Sequence, residues 1–191
     1  MDAAGNVWWC NLSGSSFGPS ANYTPLSSAV AFLFGKASSA PNSGSIVQFI
    51  ELLQRQGKHV YLISGGFKQM ILPLAQALGL PPDNVFANVL LFDEETGDYK
   101  GFDESQPTSE SGGKARVVAM LKDLHANKDN DAVSPPSIVM IGDGVTDMEA
   151  RPPADLFVGF GGNVVREKVK QGADLFVMQF AELMALYQEE L

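Results

Sequence analysis

The sequence predicts an α/β protein built on a mostly parallel β-sheet with helices on both faces. Short apolar runs rich in β-branched residues alternate along the chain with segments whose apolar residues recur at helical spacing. Two of these runs lead into glycine-rich turns, at residues 64–66 and 142–147. The chain has 191 residues, which is enough for one domain of ordinary size with a buried core.

A helix, a strand and a second helix are expected from residue 45 onward. Apolar residues between 46 and 53 share one helical face, and this helix is expected to end at Gly57. The apolar run at 59–63 is typical of a short buried strand. It is followed by the Ser-Gly-Gly turn and by a helical pattern at 67–78 that an internal proline kinks or shortens.

The same alternation continues to the end of the chain. An antiparallel hairpin is expected from residues 84–92 and 98–102, which flank a turn. The apolar face of the next helix consists of Val117, Val118, Leu121 and Leu124. Later strands are expected at 138–141, 156–158 and 175–178, and later helices at 164–169 and 181–187. In such a Rossmann-like, doubly wound sheet, ligands bind at the carboxyl ends of the strands.

The first 44 residues differ in composition from the rest of the chain. Only Asp2 and Lys36 carry charged side chains there, and the segment is rich in Ser, Gly, Ala, Pro and Asn. We therefore expect residues 1–44 to be poorly ordered and residues 45–191 to form the folded core. No basic residue precedes Lys36, so no targeting signal is recognised and a cytoplasmic location is expected.

The acidic composition limits the classes of partner. A net charge of −9 argues against nucleic acid, because phosphate backbones are bound by Lys and Arg. No apolar run approaches the roughly 20 residues that a membrane-spanning helix needs. The single cysteine, Cys10, cannot form an internal disulfide, which indicates a reducing compartment. A small ligand with a metal ion suits this composition best.

The first glycine-rich turn is a candidate anion site. Ser64, Gly65 and Gly66 separate a predicted strand from a predicted helix. A hydroxyl and backbone N–H groups at a helix amino terminus can cradle a phosphate. The alternative is a tight turn that needs glycine for its backbone alone.

The second turn carries two carboxylates, Asp143 and Asp147, spaced four residues apart beside a predicted strand end. Carboxylate oxygens at such a place suit a hard cation such as Mg²⁺. Aspartates near a helix start also cap the helix and offset its dipole, so a structural role is the alternative. The glycines on both sides of Asp143 favour close approach of a ligand.

Lys114 is expected in the first turn of its helix, where a cation opposes the helix dipole at a cost of up to about 1 kcal/mol. The Ser-Gly-Gly stretch before it offers a second set of backbone N–H groups. We therefore expect Lys114 to point at a phosphate, with a solvated surface lysine as the alternative. His59 and His125 show no ligand-like spacing, and packing or surface roles are expected for both.

The motifs around these residues resemble haloacid dehalogenase-type phosphatases. ISGGF with Ser64, PTSESGGK with Lys114, and IGDGVTDMEA with Asp143 and Asp147 follow the order of three of the four family motifs. NVFAN, PPAD and GFGGNV further resemble the phosphoserine phosphatase branch, and the resemblance spans about residues 45–191. It implies Mg²⁺-dependent hydrolysis of O-phosphoserine to serine and phosphate, the last step of serine biosynthesis.

The resemblance also implies a role for each matched position. The residues implied to hold the phosphate and the substrate are Ser64, Gly65, Gly66, Lys114 and Thr146. Lys114 would also neutralise charge on the phosphoryl group during catalysis. Asp143 would bind Mg²⁺, and Asp147 would order Asp143 and the metal shell.

One family motif has no counterpart in this sequence. The first motif, DxDx[TV], ends a central strand and supplies the nucleophile and the general acid. Before Asp83 the only aspartate is Asp2, and residues 7–15 are interpreted as a coincidental imitation of the motif. The core is therefore expected to lack its first strand and its helical cap. Either another apolar stretch, such as 29–34, fills the gap, or unpaired backbone leaves the fold marginally stable.

Two functions stay open at this point. One is a phosphatase of this lineage, and the other is a protein without turnover that keeps Ser64, Lys114 and Asp143 as a phosphate and metal site, or pairs with an intact relative. A phosphoacceptor receiver domain is less compatible, because Ser64 stands where its acceptor aspartate would be. The resemblance also admits a homodimer.

Overall fold

The computed structural model describes residues 7–10, 45–128 and 137–189. Within these residues, six parallel strands form one sheet and two antiparallel strands form a separate hairpin. The strands are β1 (Val7–Cys10), β2 (His59–Phe67), β3 (Val85–Asn88), β4 (Leu90–Phe92), β5 (Tyr99–Phe102), β6 (Ile138–Gly142), β7 (Leu156–Phe160) and β8 (Leu175–Val177). The helices are α1 (Ile46–Arg55), α2 (Lys68–Ala77), α3 (Gly113–Lys128), α4 (Val145–Met148), α5 (Glu167–Gly172) and α6 (Phe180–Glu189).

The predicted α/β fold with a parallel sheet between two layers of helices is confirmed. Strand β2 shows the layering most clearly, because its pleat sends alternate side chains to opposite faces. Val60 and Leu62 pack with α1, α2 and α6 in one core cluster. Tyr61 and Ile63 pack with α3 and α5 in the other. The strand order β3-β2-β1-β6-β7-β8 is that of a doubly wound sheet.

The start of helix α1 is set by its own sequence. Ser45 Oγ accepts a hydrogen bond from the backbone N–H of Gln48 at 3.3 Å, and Gln48 Oε1 accepts one from the N–H of Ser45 at 2.9 Å. This reciprocal capping box satisfies two amide donors that the first helical turn leaves over. It places the folded core's first helix at the residue where the composition of the chain changes.

A strand lies at the centre of the sheet, where a gap was expected. β1 pairs in parallel with both β2 and β6, and Cys10 is level with Leu62 on one side and Ile141 on the other. The interpretation of residues 7–15 as coincidence is therefore wrong for the strand itself. Because β1 pairs with the backbone of both neighbours, the reason for marginal stability also disappears. The alternative filler, residues 29–34, lies outside the described residues.

Two boundaries differ from the sequence-based expectation. The stretch 84–92 is not one hairpin strand, because β3 belongs to the main sheet and only β4 pairs with β5. Helix α5 begins at Glu167 and not at residue 164, so Val164 and Val165 are exposed loop residues. Leu124, expected on the buried face of α3, is also exposed.

In the described part of the chain, the structure contains no helix with the length and apolarity to cross a membrane.

Candidate functional site

The candidate residues meet at the carboxyl edge of the sheet, as the rule for parallel sheets predicts. Ser64 lies near the end of β2, and Asp143 directly follows β6. Lys114 is the second residue of α3, and Thr146 and Asp147 belong to the short helix α4. Four separate elements therefore contribute side chains to this edge.

The Ser64–Gly65–Gly66 segment is extended, and the expected tight turn at a helix start is wrong. Strand β2 continues through these residues to Phe67, with a register irregularity between Ile63 and Phe67, and α2 begins at Lys68. Ser64 is buried, and its Oγ accepts a hydrogen bond from the N–H of Gly66 at 3.0 Å. The serine hydroxyl therefore orders its own strand end, while Gly65 is exposed at the edge of the site.

Lys114 and Asp147 form a buried ion pair at the centre of the site. Lys114 Nζ donates to Asp147 Oδ1 at 2.7 Å, and the two side chains are 8% and 0% exposed. The second oxygen, Asp147 Oδ2, accepts from the N–H of Gly144 at 2.9 Å. The alternative of a solvated surface lysine is therefore wrong. Desolvation of two charges is costly, so their retention here indicates a role other than stability alone.

Gly142 explains how Asp147 reaches this position. A Cβ atom at residue 142 would overlap the Asp147 carboxylate and its Cβ. Only glycine at the end of β6 therefore lets the carboxylate pack directly over the strand. Gly142 was expected to leave room for a ligand beside Asp143. In the structure, that room is filled by the side chain of Asp147.

Asp143 is held by Arg166, a residue that the sequence reasoning missed. Arg166 Nη1 donates to the backbone oxygen of Asp143 at 2.7 Å and also to its carboxylate oxygen Oδ2. Arg166 lies just before α5, in a segment that was expected to be helical. No local pattern could have revealed this contact, because it joins residues 23 positions apart. The two predicted carboxylates thus pair with different cations.

A cavity of about 180 Å³ opens beside the ion pair. Gly65, Lys114 and Thr146 all contribute to its lining, so the structure brings three of the predicted substrate-contacting residues together. Thr108, Glu110, Ser111, Gly112, Gly113, Ala115 and Glu149 complete the lining. Ser64 and Gly66, which flank Gly65 in β2, are not among the residues that line the cavity. A buried cation beside exposed backbone and a hydroxyl suits a small anion.

The two histidines lie at the opposite, amino edge of the sheet. His125 Nε2 and Tyr61 Oη are 2.8 Å apart, and the rings of His59 and His125 have centroids 4.7 Å apart. His125 is buried and His59 is exposed. Of the expected packing or surface roles, His125 has the first and His59 the second.

Comparison with known proteins assigns the family. A family model for haloacid dehalogenase-like hydrolases matches residues 24–150, which is more than half of the chain. The chain belongs to the haloacid dehalogenase-like hydrolase family.

Curated relatives of the chain carry one name. Phosphoserine phosphatase of Homo sapiens is 48% identical over 145 residues, covering 75% of this chain and 60% of that protein. The Drosophila melanogaster enzyme is 49% identical over 142 residues, covering 74% and 50%. The chloroplastic phosphoserine phosphatase of Arabidopsis thaliana is 44% identical over 144 residues, covering 74% and 46%. The chain thus spans 60% or less of the length of these relatives.

Solved structures share the fold. DsGPDH of Dunaliella salina has a TM-score of 0.60 and 30% identity, covering 86% of this chain and 26% of that one. A phosphoserine phosphohydrolase-like protein from Francisella tularensis has a TM-score of 0.56 and 24% identity, covering 83% and 69%. The second likeness shows the fold alone.

Asp143 is the carboxylate at this edge that could bind Mg²⁺ together with a substrate phosphate, and one of its oxygens also bonds Arg166. Mg²⁺ is commonly held by one or two carboxylates together with water and substrate phosphate oxygens. Asp143 supplies a carboxylate at the strand end, three residues before Thr146 in the cavity wall. Within residues 7–10, 45–128 and 137–189, no group of three or more His, Cys, Asp or Glu side chains could hold a metal ion. Protein ligands from this part of the chain alone would therefore leave the ion incompletely bound.

Proposed function

We propose that the chain hydrolyses O-phosphoserine to serine and phosphate in the cavity beside Lys114, with Mg²⁺ as cofactor. The observation that carries this proposal is the buried Lys114–Asp147 pair, of which Lys114 lines the cavity. Identity of 48% to phosphoserine phosphatases supports the choice of substrate. The small, soluble substrate also agrees with the acidic composition.

Lys114 supplies the positive charge in this proposal. Its ammonium group would attract the phosphate and stabilise negative charge that develops as the phosphoryl group passes from the serine oxygen, which gains a proton, to the oxygen of water in the overall reaction. Asp147 holds Nζ at 2.7 Å, so the ammonium is positioned before any substrate binds. Such preorganisation matters because no side-chain rearrangement then opposes the reaction.

Thr146 and Gly65 complete the contact with substrate. Thr146 and Gly65 both line the cavity and belong to different elements, α4 and β2. They would orient the phosphate between them by hydrogen bonding. Asp143, with Arg166 bound to its carboxylate, would hold Mg²⁺ against the phosphate. When bound, Mg²⁺ would supply further neutralisation of the phosphate oxygens.

The nucleophile is the open part of the mechanism and favours a second candidate function. β1 is the strand between β2 and β6, and it carries Val-Trp-Trp-Cys followed by Asn11, with no aspartate. The family's acyl-phosphate chemistry uses an aspartate at that strand end. A site with Lys114 and Asp143 but without that aspartate would bind phosphate and Mg²⁺ without turnover.

Release of inorganic phosphate from O-phosphoserine separates the two functions. We expect the purified chain to release phosphate with Mg²⁺, and Asp143→Asn to reduce the rate at least tenfold, since a charged ligand becomes a neutral amide. Asp174→Asn is the matched control, because Asp174 also pairs with an arginine, Arg151, at 2.8 Å but stands at the other edge of the sheet. Folded wild-type protein that binds phosphate but releases none would support the second candidate.

A further inference from the structure

A chain of hydrogen bonds connects the two walls of the cavity. Thr108 Oγ1 donates to Asn88 Oδ1 at 2.9 Å, and Asn88 Nδ2 donates to the backbone oxygen of Gly65 at 2.9 Å. Thr108 is buried, at 8% exposure, and it also contributes to the cavity lining. Asn88 ends β3, the strand that pairs with β2 beside Gly65. The side chain of Thr108 therefore acts on the Gly65 wall through one intermediate residue.

The backbone of Thr108 acts on the opposite wall. Thr108 lies in a short 3₁₀ turn, Pro107–Ser109, that packs against the first residue of α3. A Cβ atom at Gly113 would lie 2.7 Å from the Cα of Thr108 and would overlap the carbonyl oxygen of Pro107. The start of α3 thus rests directly on this turn, and Lys114 is the next residue. Thr108 thus packs against the start of α3 directly and reaches Gly65 through Asn88.

We propose that Thr108 is a positioning residue that sets the separation between Gly65 and Lys114, and through it the fit of a phosphate group. This inference rests on the proposed function, since it concerns the same cavity. A hydroxyl at residue 108 orients the Asn88 amide, which in turn fixes the carbonyl of Gly65. Loss of the hydroxyl frees the end of β2 to shift relative to α3, while the core beneath it stays packed.

Thr108→Val and Thr108→Ser test this inference, because valine keeps the shape and serine keeps the hydroxyl. We expect Thr108→Val to weaken binding of inorganic phosphate, measured with Mg²⁺, by about two- to tenfold, the value of one hydrogen bond. Thr108→Ser should restore wild-type affinity. Asn88→Ala should weaken binding as much as Thr108→Val, and the double variant no more than either, because both act through one chain of bonds.

The matched control is Asn84→Ala. Asn84 Nδ2 donates to the carbonyl of Val60 at 2.8 Å, so it makes the same kind of bond to the same strand at its other end. Asn84→Ala should leave phosphate affinity unchanged. Equal weakening by Asn84→Ala and Asn88→Ala would overturn the proposal, because a general loss of rigidity in β2 would then explain both.

Backbone amide chemical shifts of Gly65 and Gly66 in the free protein give a readout that does not depend on ligand. We expect them to move in Thr108→Val and in Asn88→Ala, and to stay at wild-type values in Thr108→Ser and Asn84→Ala. Unmoved shifts in both Thr108→Val and Asn88→Ala would overturn the proposal. If the wild-type chain binds no phosphate, the proposed function fails, and these shifts alone decide the positioning role.

Discussion

Helix α3 has a buried polar side chain near each of its ends, and the two side chains are paired in different ways. At the carboxyl edge, Lys114 pairs with Asp147 as two opposite charges. At the amino edge, His125 and Tyr61 form a hydrogen bond that requires no charge on either ring. Burial raises the pKa of the Tyr61 phenol, which keeps it neutral. Helix α3 thus contributes to an ion pair with α4 at one end and to a hydrogen bond with β2 at the other.

The difference shows which kind of buried polar contact indicates a site. A hydrogen bond between uncharged groups costs little to bury once it is made. An ion pair must overcome the desolvation of both charges, and apolar residues of the same volume often stabilise a core better. At the carboxyl edge, the cation of the ion pair also lines a cavity. A buried charged pair beside a cavity therefore indicates a functional site more strongly than burial of polar groups alone.

The largest expected effect comes from removing the buried cation. Lys114→Met leaves the Asp147 carboxylate buried without its ammonium partner, and should lower the free energy of unfolding by about 3–5 kcal/mol. Urea unfolding monitored by circular dichroism measures it.

Lys122 is the matched control for this substitution. It lies on the same helix and pairs with Asp155 at 2.6 Å, but the two side chains are 31% and 45% exposed. Lys122→Met should therefore cost less than about 1 kcal/mol. Equal losses of unfolding free energy in the two variants would contradict the claim that the buried pair differs energetically from the exposed one.

A smaller effect is expected from a methyl group at two glycines of the carboxyl edge. Gly142→Ala places Cβ against the Asp147 carboxylate, so we expect a loss of about 1–3 kcal/mol of unfolding free energy from overpacking. At Gly65 a Cβ would meet nothing within 4 Å, so Gly65→Ala should stay within about 0.5 kcal/mol of wild type.

Although Gly65→Ala should hardly change stability, it should weaken the binding of phosphate. The added methyl group would project at the cavity lining, where it competes with the ligand for space. An isothermal titration with inorganic phosphate and Mg²⁺ should show weaker binding by a stably folded protein. Unchanged affinity in that variant would place the phosphate away from the Gly65 wall.

The smallest expected effect concerns the amino edge at high pH. Because burial raises the pKa of Tyr61 in the folded protein, the unfolded phenol ionises first as pH rises past about 10. Stability from this group is therefore complete below that pH and is lost above it. Tyr61→Phe should therefore lose less stability than the wild type between pH 9 and pH 11, measured by urea unfolding at each pH. An identical pH profile in the two proteins would contradict this.

The sequence predicted the core strands well because their apolar runs are continuous and end at clear breaks. It failed at 84–92, where β3 ends at Asn88 and β4 begins at Leu90. A single apolar run covers both strands, and only tertiary pairing separates them. It also failed at residues 64–66, because glycine suggests a turn whether the backbone is bent or extended. The central strand β1 was dismissed because its aspartates are missing, although its pairing depends only on its backbone.

The site was predictable in its residue types but not in its pairings. Asp143, Asp147 and Lys114 were recognised from their position after strands and before helices. Which cation each carboxylate meets depends on contacts between distant parts of the chain, so Arg166 left no local signal. The role of Gly142 was also hidden, since only the folded structure shows what a Cβ atom would touch.

The most direct test of the central claim is phosphate binding at the carboxyl edge. Phosphorus-31 NMR of inorganic phosphate, titrated with the chain and Mg²⁺, compares wild type with Lys114→Met and Lys122→Met. We expect binding by wild type and by Lys122→Met, and a loss of at least tenfold in affinity for Lys114→Met, since a charged contact is removed. Equal binding by all three folded proteins would contradict a phosphate site built on the Lys114–Asp147 pair.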